Sequence, residues 1–241
     1  MRTSNPALNA KVFSGLPTVM PGQAMTIQGT VHKAMILLFL LSVTATWAWS
    51  KIQDAAGLLM LGLIGGLVIG FVTIFKKDWA PVTAPLYALF EGVVLGGISR
   101  LMEAQFPGIV VQAVFLTFGT LFSLLVAYQS GLIKVTENFR LGVFAATGGI
   151  CLIYVATMIL GIFGIRLPYI HESGPIGIGF SLFVVVIAAL NLVLDFDFIE
   201  RGAESGAPKY MEWYGAFGLM VTLIWLYLEI LRLLAKARSR Q

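Results

Sequence analysis

Four acidic side chains interrupt apolar runs long enough to cross a membrane, and any chemistry of this chain is expected there. Asp195 and Asp197 end the run that begins at Ser181, Glu91 sits near the middle of an earlier run, and Glu229 lies in the last one. On insertion scales an acid at the bilayer centre costs about 2.5–3.5 kcal/mol, so each should face other helices or a wet cavity, with a partner. Asn191 stands four residues before Asp195, on the same helical face, and extends it into a short polar stripe. Asp197 points about 200° away from Asp195 and needs its own account. Arg201, four residues on, supplies one as a local ion pair where the helix leaves the membrane.

Thr222, Glu229 and Lys236 recur at seven-residue spacing and share one face of the last run. Arg232, three residues after Glu229, again offers a local pair. Glu91 reads either as a protonated, hydrogen-bonded core residue or as a station on an ion or proton path. Lys76 and Lys77 close the second run on the side where the sixth run delivers Asp195, so a lysine and a carboxylate from different helices could meet there. For at least one of them, simple anchoring at the membrane surface is sufficient.

A hard cation takes several oxygen ligands, and Asp195, Asn191, Glu91, Thr222 and Glu229 could offer a few along a path. No resident cofactor is expected, and the identity of any metal stays open. Catalysis is not expected. No serine stands near a histidine and an acid in recognisable order, and the two histidines, His32 and His171, are not at metal-ligand spacing. Proteolysis by paired aspartates would need them on facing helices, whereas both membrane-depth aspartates lie on one.

The elements that must position these residues follow from hydropathy. Hydrophobic residues make up 58% of the chain and charged residues 12%, with a mean hydropathy of +0.89. A soluble domain carries about 25% charged residues, so this is an integral membrane protein. Seven apolar runs, at 34–50, 55–75, 80–99, 109–128, 141–165, 174–199 and 213–234, each approach the roughly 20 residues that a spanning helix needs. The division expected is a polar cytoplasmic segment over 1–33, a seven-helix transmembrane domain over 34–234 and a basic tail over 235–241. Short loops leave no room for a soluble domain. The first run follows its polar leader without a nearby small-residue cleavage pattern and reads as a retained helix. Cys151 is the lone cysteine, so neither an internal disulfide nor a cysteine metal cluster is expected.

Trp47, Trp49, Trp79 and Trp213 fall at run ends, where interfacial aromatics collect. Gly62, Gly66 and Gly70 in the second run, with Gly92 and Gly96 in the third, form small-residue stripes expected to bring those two helices close together. Gly215, Ala216 and Gly218 would let the last helix be approached from several sides.

With the N-terminus inside, nine basic residues (Arg2, Lys11, Lys33, Lys76, Lys77, Lys134, Arg140, Arg201, Lys209) face inward. Three (Lys51, Arg100, Arg166) face outward, apart from the tail. Seven spans place Arg232, Lys236, Arg238 and Arg240 at the outer end, and the alternative is that one of the last two runs is re-entrant and both termini lie inside. The net charge of +4 comes from these run ends and the tail and does not imply nucleic acid.

The run ending Leu194-Asp-Phe-Asp-Phe-Ile, the closing Leu226-Tyr-Leu-Glu-Ile-Leu-Arg-Leu-Leu, the N-terminal Ser4-Asn-Pro-Ala-Leu-Asn and the third-run Glu91-Gly-Val-Val-Leu-Gly-Gly-Ile-Ser resemble the bacterial subgroup of the Bax inhibitor (transmembrane Bax inhibitor motif) family. The resemblance covers nearly the whole chain. It implies an all-α protein of seven transmembrane helices, the last central and surrounded by the other six, in the cell's inner membrane. It also implies a pH-sensitive calcium leak governed by an aspartate on helix six, an aspartate on helix seven and a basic residue at the inner end of helix two. Asp195 matches the first, and Lys76 or Lys77 the last. The helix-seven position falls on Glu229 in one register and on Thr222 in another, which departs from a two-aspartate pair. The other function that the resemblance implies is a non-transporting regulator that binds membrane proteins such as a membrane protease.

Overall fold

The computed structural model describes residues 23–51, 55–164 and 174–239. Arg2, Lys11, Arg166, His171, Arg240 and the Ser4 motif lie outside these residues. Seven α-helices are long and apolar enough to cross a membrane: α1 (Ile27–Ser50), α2 (Ala55–Phe75), α3 (Ala80–Gln105), α4 (Ile109–Gln129), α5 (Glu137–Ile162), α6 (Pro175–Glu204) and α7 (Met211–Arg238). This is an all-α, multi-pass membrane protein. The last two helices, at 30 and 28 residues, are each continuous and long enough to span at about 1.5 Å per residue.

Helix ends follow local chemistry more closely than hydropathy does. α1 starts seven residues before its apolar run because Thr26 caps it, its hydroxyl accepting from the Gly29 N–H at 2.9 Å. α5 likewise starts at Glu137 because the Thr136 hydroxyl accepts from the Phe139 N–H at 3.2 Å. α3 runs on to Gln105 and stops before Phe106-Pro-Gly, where Gly108 takes φ +80° ahead of α4. α6 and α7 carry their polar ends, Arg201 to Glu204 and Ala235 to Arg238, as helix.

The chain divides into two compact units whose boundaries cut α6 between Leu194 and Asp195 and α7 between Val221 and Thr222. The first holds α1, α2, α3 and Asp195–Val221. In it α3 is the element against which both α1 and α2 pack. The glycine stripes do not face one another. Gly62, Gly66 and Gly70 of α2 receive Val94, Glu91 and Tyr87 of α3, whereas a Cβ on Gly92 or Gly96 would strike Thr44, the Leu41 carbonyl or the Ala45 carbonyl of α1. α3 therefore presents bulk to α2 and a groove to α1.

The second unit holds α4, α5, the first part of α6 and the last part of α7. Ile150, Val184 and Ile187 form its core, with Tyr154, Phe180, Leu190 and Trp225 against them. Burial separates the seven helices. In α7 61% of the apolar window is buried, the largest share, against 17% in α1, 22% in α2, 17% in α4 and 11% in α5. Phe39, Phe75, Phe115, Leu152 and Ile162 are among the large apolar side chains those four helices expose, as lipid contact demands.

Candidate functional site: the buried carboxylates

Asp195 lies two and a half turns before the end of α6 and is wholly buried. Residues 191–199 are buried without exception, so α6 has no exposed face over more than two turns. This explains how Asp195 and Asp197, pointing to opposite sides, are both withdrawn from solvent and lipid. Arg201 Nε donates to Asp197 Oδ1 at 3.1 Å, the local pair that the spacing implies, although Asp197 is buried rather than solvated. Asn191 Nδ2 donates to Thr147 Oγ1 of α5 at 2.9 Å and to the Ile187 carbonyl at 2.8 Å. That amide is a cross-helix tie. Thr222 is buried on α7.

Glu229 is also buried, and its oxygens are engaged. Arg232 Nη1 donates to both, at 2.9 and 3.1 Å, and the Tyr154 hydroxyl of α5 donates to Oε1 at 3.0 Å. The Arg232 guanidinium also reaches the tyrosine hydroxyl at 2.7 Å and lies 5.2 Å from its ring centre. One turn on, Lys236 Nζ donates to the Gly177 carbonyl at 3.1 Å and to Ser181 Oγ at 2.9 Å in the first turns of α6. Arg238 donates to the Pro107 carbonyl and, at 2.9 Å, to Gln112 Oε1 of α4. Three basic residues near the C-terminus thus fasten α7 to its neighbours.

Glu91 is half-buried on α3, hydrogen-bonded to the Tyr87 hydroxyl one turn before it and set against Gly66 of α2. Polar groups therefore do lie on the α2 glycine stripe. Tyr87 in turn meets the Phe217 ring of α7 edge-on at 5.0 Å. Lys76 is exposed and Lys77 half-buried at the turn joining α2 to α3. Among the described residues no three His, Cys, Asp or Glu side chains converge as a metal cage.

The Bax inhibitor 1 like family matches residues 5–239. The chain belongs to that family. No curated protein and no solved structure matches it.

In this Bax inhibitor 1 like chain one polar centre escapes a reading by segments. Glu212, in the first turn of α7, is completely buried. Lys33 Nζ of α1 donates to its Oε2 at 2.7 Å, while Thr26 donates to Oε1 through both its backbone N–H and its hydroxyl, each at 3.0 Å. Lys209 stands 3.9 Å from Oε1, and the Lys33 ammonium lies over the Trp213 ring. By sequence Glu212 falls in the polar stretch between the sixth and seventh apolar runs and reads as a turn residue, whereas the structure makes it helical and buried. Gly29 leaves room for it, since a Cβ there would overlap the Glu212 carboxylate. Nearby, burial and then the Asp78 carboxylate push the Tyr210 phenol above its ordinary value.

Proposed function

We propose that this protein is a transmembrane cation leak channel, with calcium as the expected ion, opened and closed by protonation around Asp195 at the inner end of α6. The observation that carries the reading is the complete burial of Asp195 within a stretch of α6 that exposes no face. A carboxylate is costly at that depth, and a path for cations gives it a use. Ionised, Asp195 attracts a cation or Lys76 or Lys77; protonated, it donates a hydrogen bond and draws the helices together.

Of the two candidate helix-seven positions, Glu229 is taken up by Arg232 and Tyr154, so the proposal takes Thr222. The protein is read as a non-enzyme of the inner cell membrane, with its N-terminus inside and lipid and cations as its partners.

Calcium flux into dye-loaded liposomes, at neutral and at acidic pH, tests this. Wild type should change its leak with pH. Asp195→Asn should mimic the protonated, closed form at both values, and Asp195→Ala should leave the inner mouth unlatched. Equal flux from wild type and Asp195→Asn across the acidic range would place the gate elsewhere, with Glu91 and Glu229 next to test.

A second reading, a non-transporting regulator bound to another membrane protein, draws on different observations. Asp197, Glu212 and Glu229 are ion-paired, and Gly142, Gly148, Gly149 and Gly161 of α5 meet only open space. Its mark would be a protein silent in flux at every pH that co-purifies with a membrane partner and loses it on Gly149→Leu.

A further inference from the structure

The segment just before α1 is fastened to the corner between α6 and α7. Residues Ala24 and Pro208 form an isolated antiparallel bridge, made by the Met25 N–H to the Ala207 carbonyl at 2.7 Å and the Lys209 N–H to the Gln23 carbonyl at 3.0 Å. Two backbone bonds make a marginal sheet. The remaining polar grip converges on one side chain, Glu212, which takes both Thr26 donors and the Lys33 ammonium. Thr26 relays that grip, since its hydroxyl donates to Glu212 and accepts from the Gly29 N–H that starts α1.

The same corner carries the end of α6. Ile199, one turn past Asp195, and Thr30 of α1 both close on Gly215 of α7, each 3.3 Å from where its Cβ would be. Displacing the Asp195 end of α6 would therefore carry residues 207–209 with it and pull directly on the bridge. We propose that residues 23–26 are a releasable strap, latched by Glu212, and that the strap must part from the α6–α7 corner before the Asp195 end of α6 can open. Glu212 is a positioning residue in this scheme. The coupling to opening rests on the leak reading above, whereas the latch itself does not.

Both parts are testable in one background, Cys151→Ser. In an antiparallel bridge of this pattern the facing residues are a non-hydrogen-bonded pair with Cα atoms about 4.5 Å apart, which a disulfide can span. Pro208 contributes no N–H to the bridge, so replacing it removes no ladder bond. Ala24→Cys with Pro208→Cys, oxidised in calcium-loaded proteoliposomes, should leak at least about tenfold more slowly than the same preparation after dithiothreitol, at the pH where the reduced form is open. The reduced protein serves as its own folding control. Separately, Glu212→Gln and Lys33→Met should each speed labelling of a single Ala24→Cys by a water-soluble maleimide about tenfold, because a charge-assisted contact is lost.

An oxidised pair that leaks like the reduced form overturns the coupling, and labelling rates unmoved by both substitutions overturn the latch. Wild type that does not leak at any pH overturns the channel reading and the coupling with it. In that case faster labelling still upholds the latch and unchanged labelling overturns it.

Discussion

At the scale of single residues, the buried acids divide by how their charge is met. Asp197 and Glu229 each have an arginine on their own helix, and Glu229 adds a tyrosine from α5. Removing one partner of a buried pair leaves the other uncompensated, which costs more than the pair is worth. Arg232 is itself partly exposed, so the full buried-pair penalty does not apply. Arg232→Met is expected to destabilise by about 1–3 kcal/mol, read as a lower Tm in detergent. Adding Glu229→Gln should restore most of the loss, because the neutral amide still accepts from Tyr154. A double variant no more stable than Arg232→Met alone would show that the pair is not the source of the effect. Glu91→Gln should be tolerated, since an amide can also accept from Tyr87. Glu91→Lys should not be, because a longer cationic chain would be driven against Gly66. Equal Tm values for the two would contradict the position assigned to Glu91.

Among elements, α3 is the axis of the first unit, and the identity of each small residue matters through the helix it faces. Gly96 seats the Ala45 backbone of α1, where a methyl group has nowhere to go, so Gly96→Ala should cost about 1–3 kcal/mol. Gly149, on α5, has nothing within 4 Å of its would-be Cβ. There Gly149→Ala should be neutral or stabilise by about 0.4–1 kcal/mol through the restricted unfolded chain. Thermal unfolding of the two variants side by side checks this. If they fall together, glycine flexibility rather than α1–α3 contact is what the stripe provides.

For the whole molecule, seven crossings would place residues 23 and 239 on opposite sides of the membrane. Two ties, one in each unit, agree with that: Thr26 before α1 is bonded to the first turn of α7, and Arg238 at the end of α7 is bonded to the start of α4. In sealed vesicles carrying Cys151→Ser, an impermeant maleimide should reach Gln23→Cys from one side only and Ser239→Cys from the other. Labelling of both from the same side would require one of the seven helices not to cross.

How much of this was legible beforehand depends on whether the cause was local. The seven spans could be read from the chain because crossing a bilayer is a property of about 20 consecutive residues and needs no neighbour. The pairs Asp197 with Arg201 and Glu229 with Arg232 were legible for the same reason, being set by the turn of one helix. Helix ends were missed by up to seven residues because caps such as Thr26 extend a helix through polar sequence that hydropathy discards. Only the tertiary structure could decide that Tyr154, 75 residues before Glu229, joins that acid, or that Gly92 and Gly96 of α3 receive α1 while α2 receives Phe90 and Glu91. It alone brings Thr26 to Glu212 across 186 residues. Periodicity tells which residues share a face of a helix, but which other helix arrives at that face is settled by packing, and packing is a property of the folded chain.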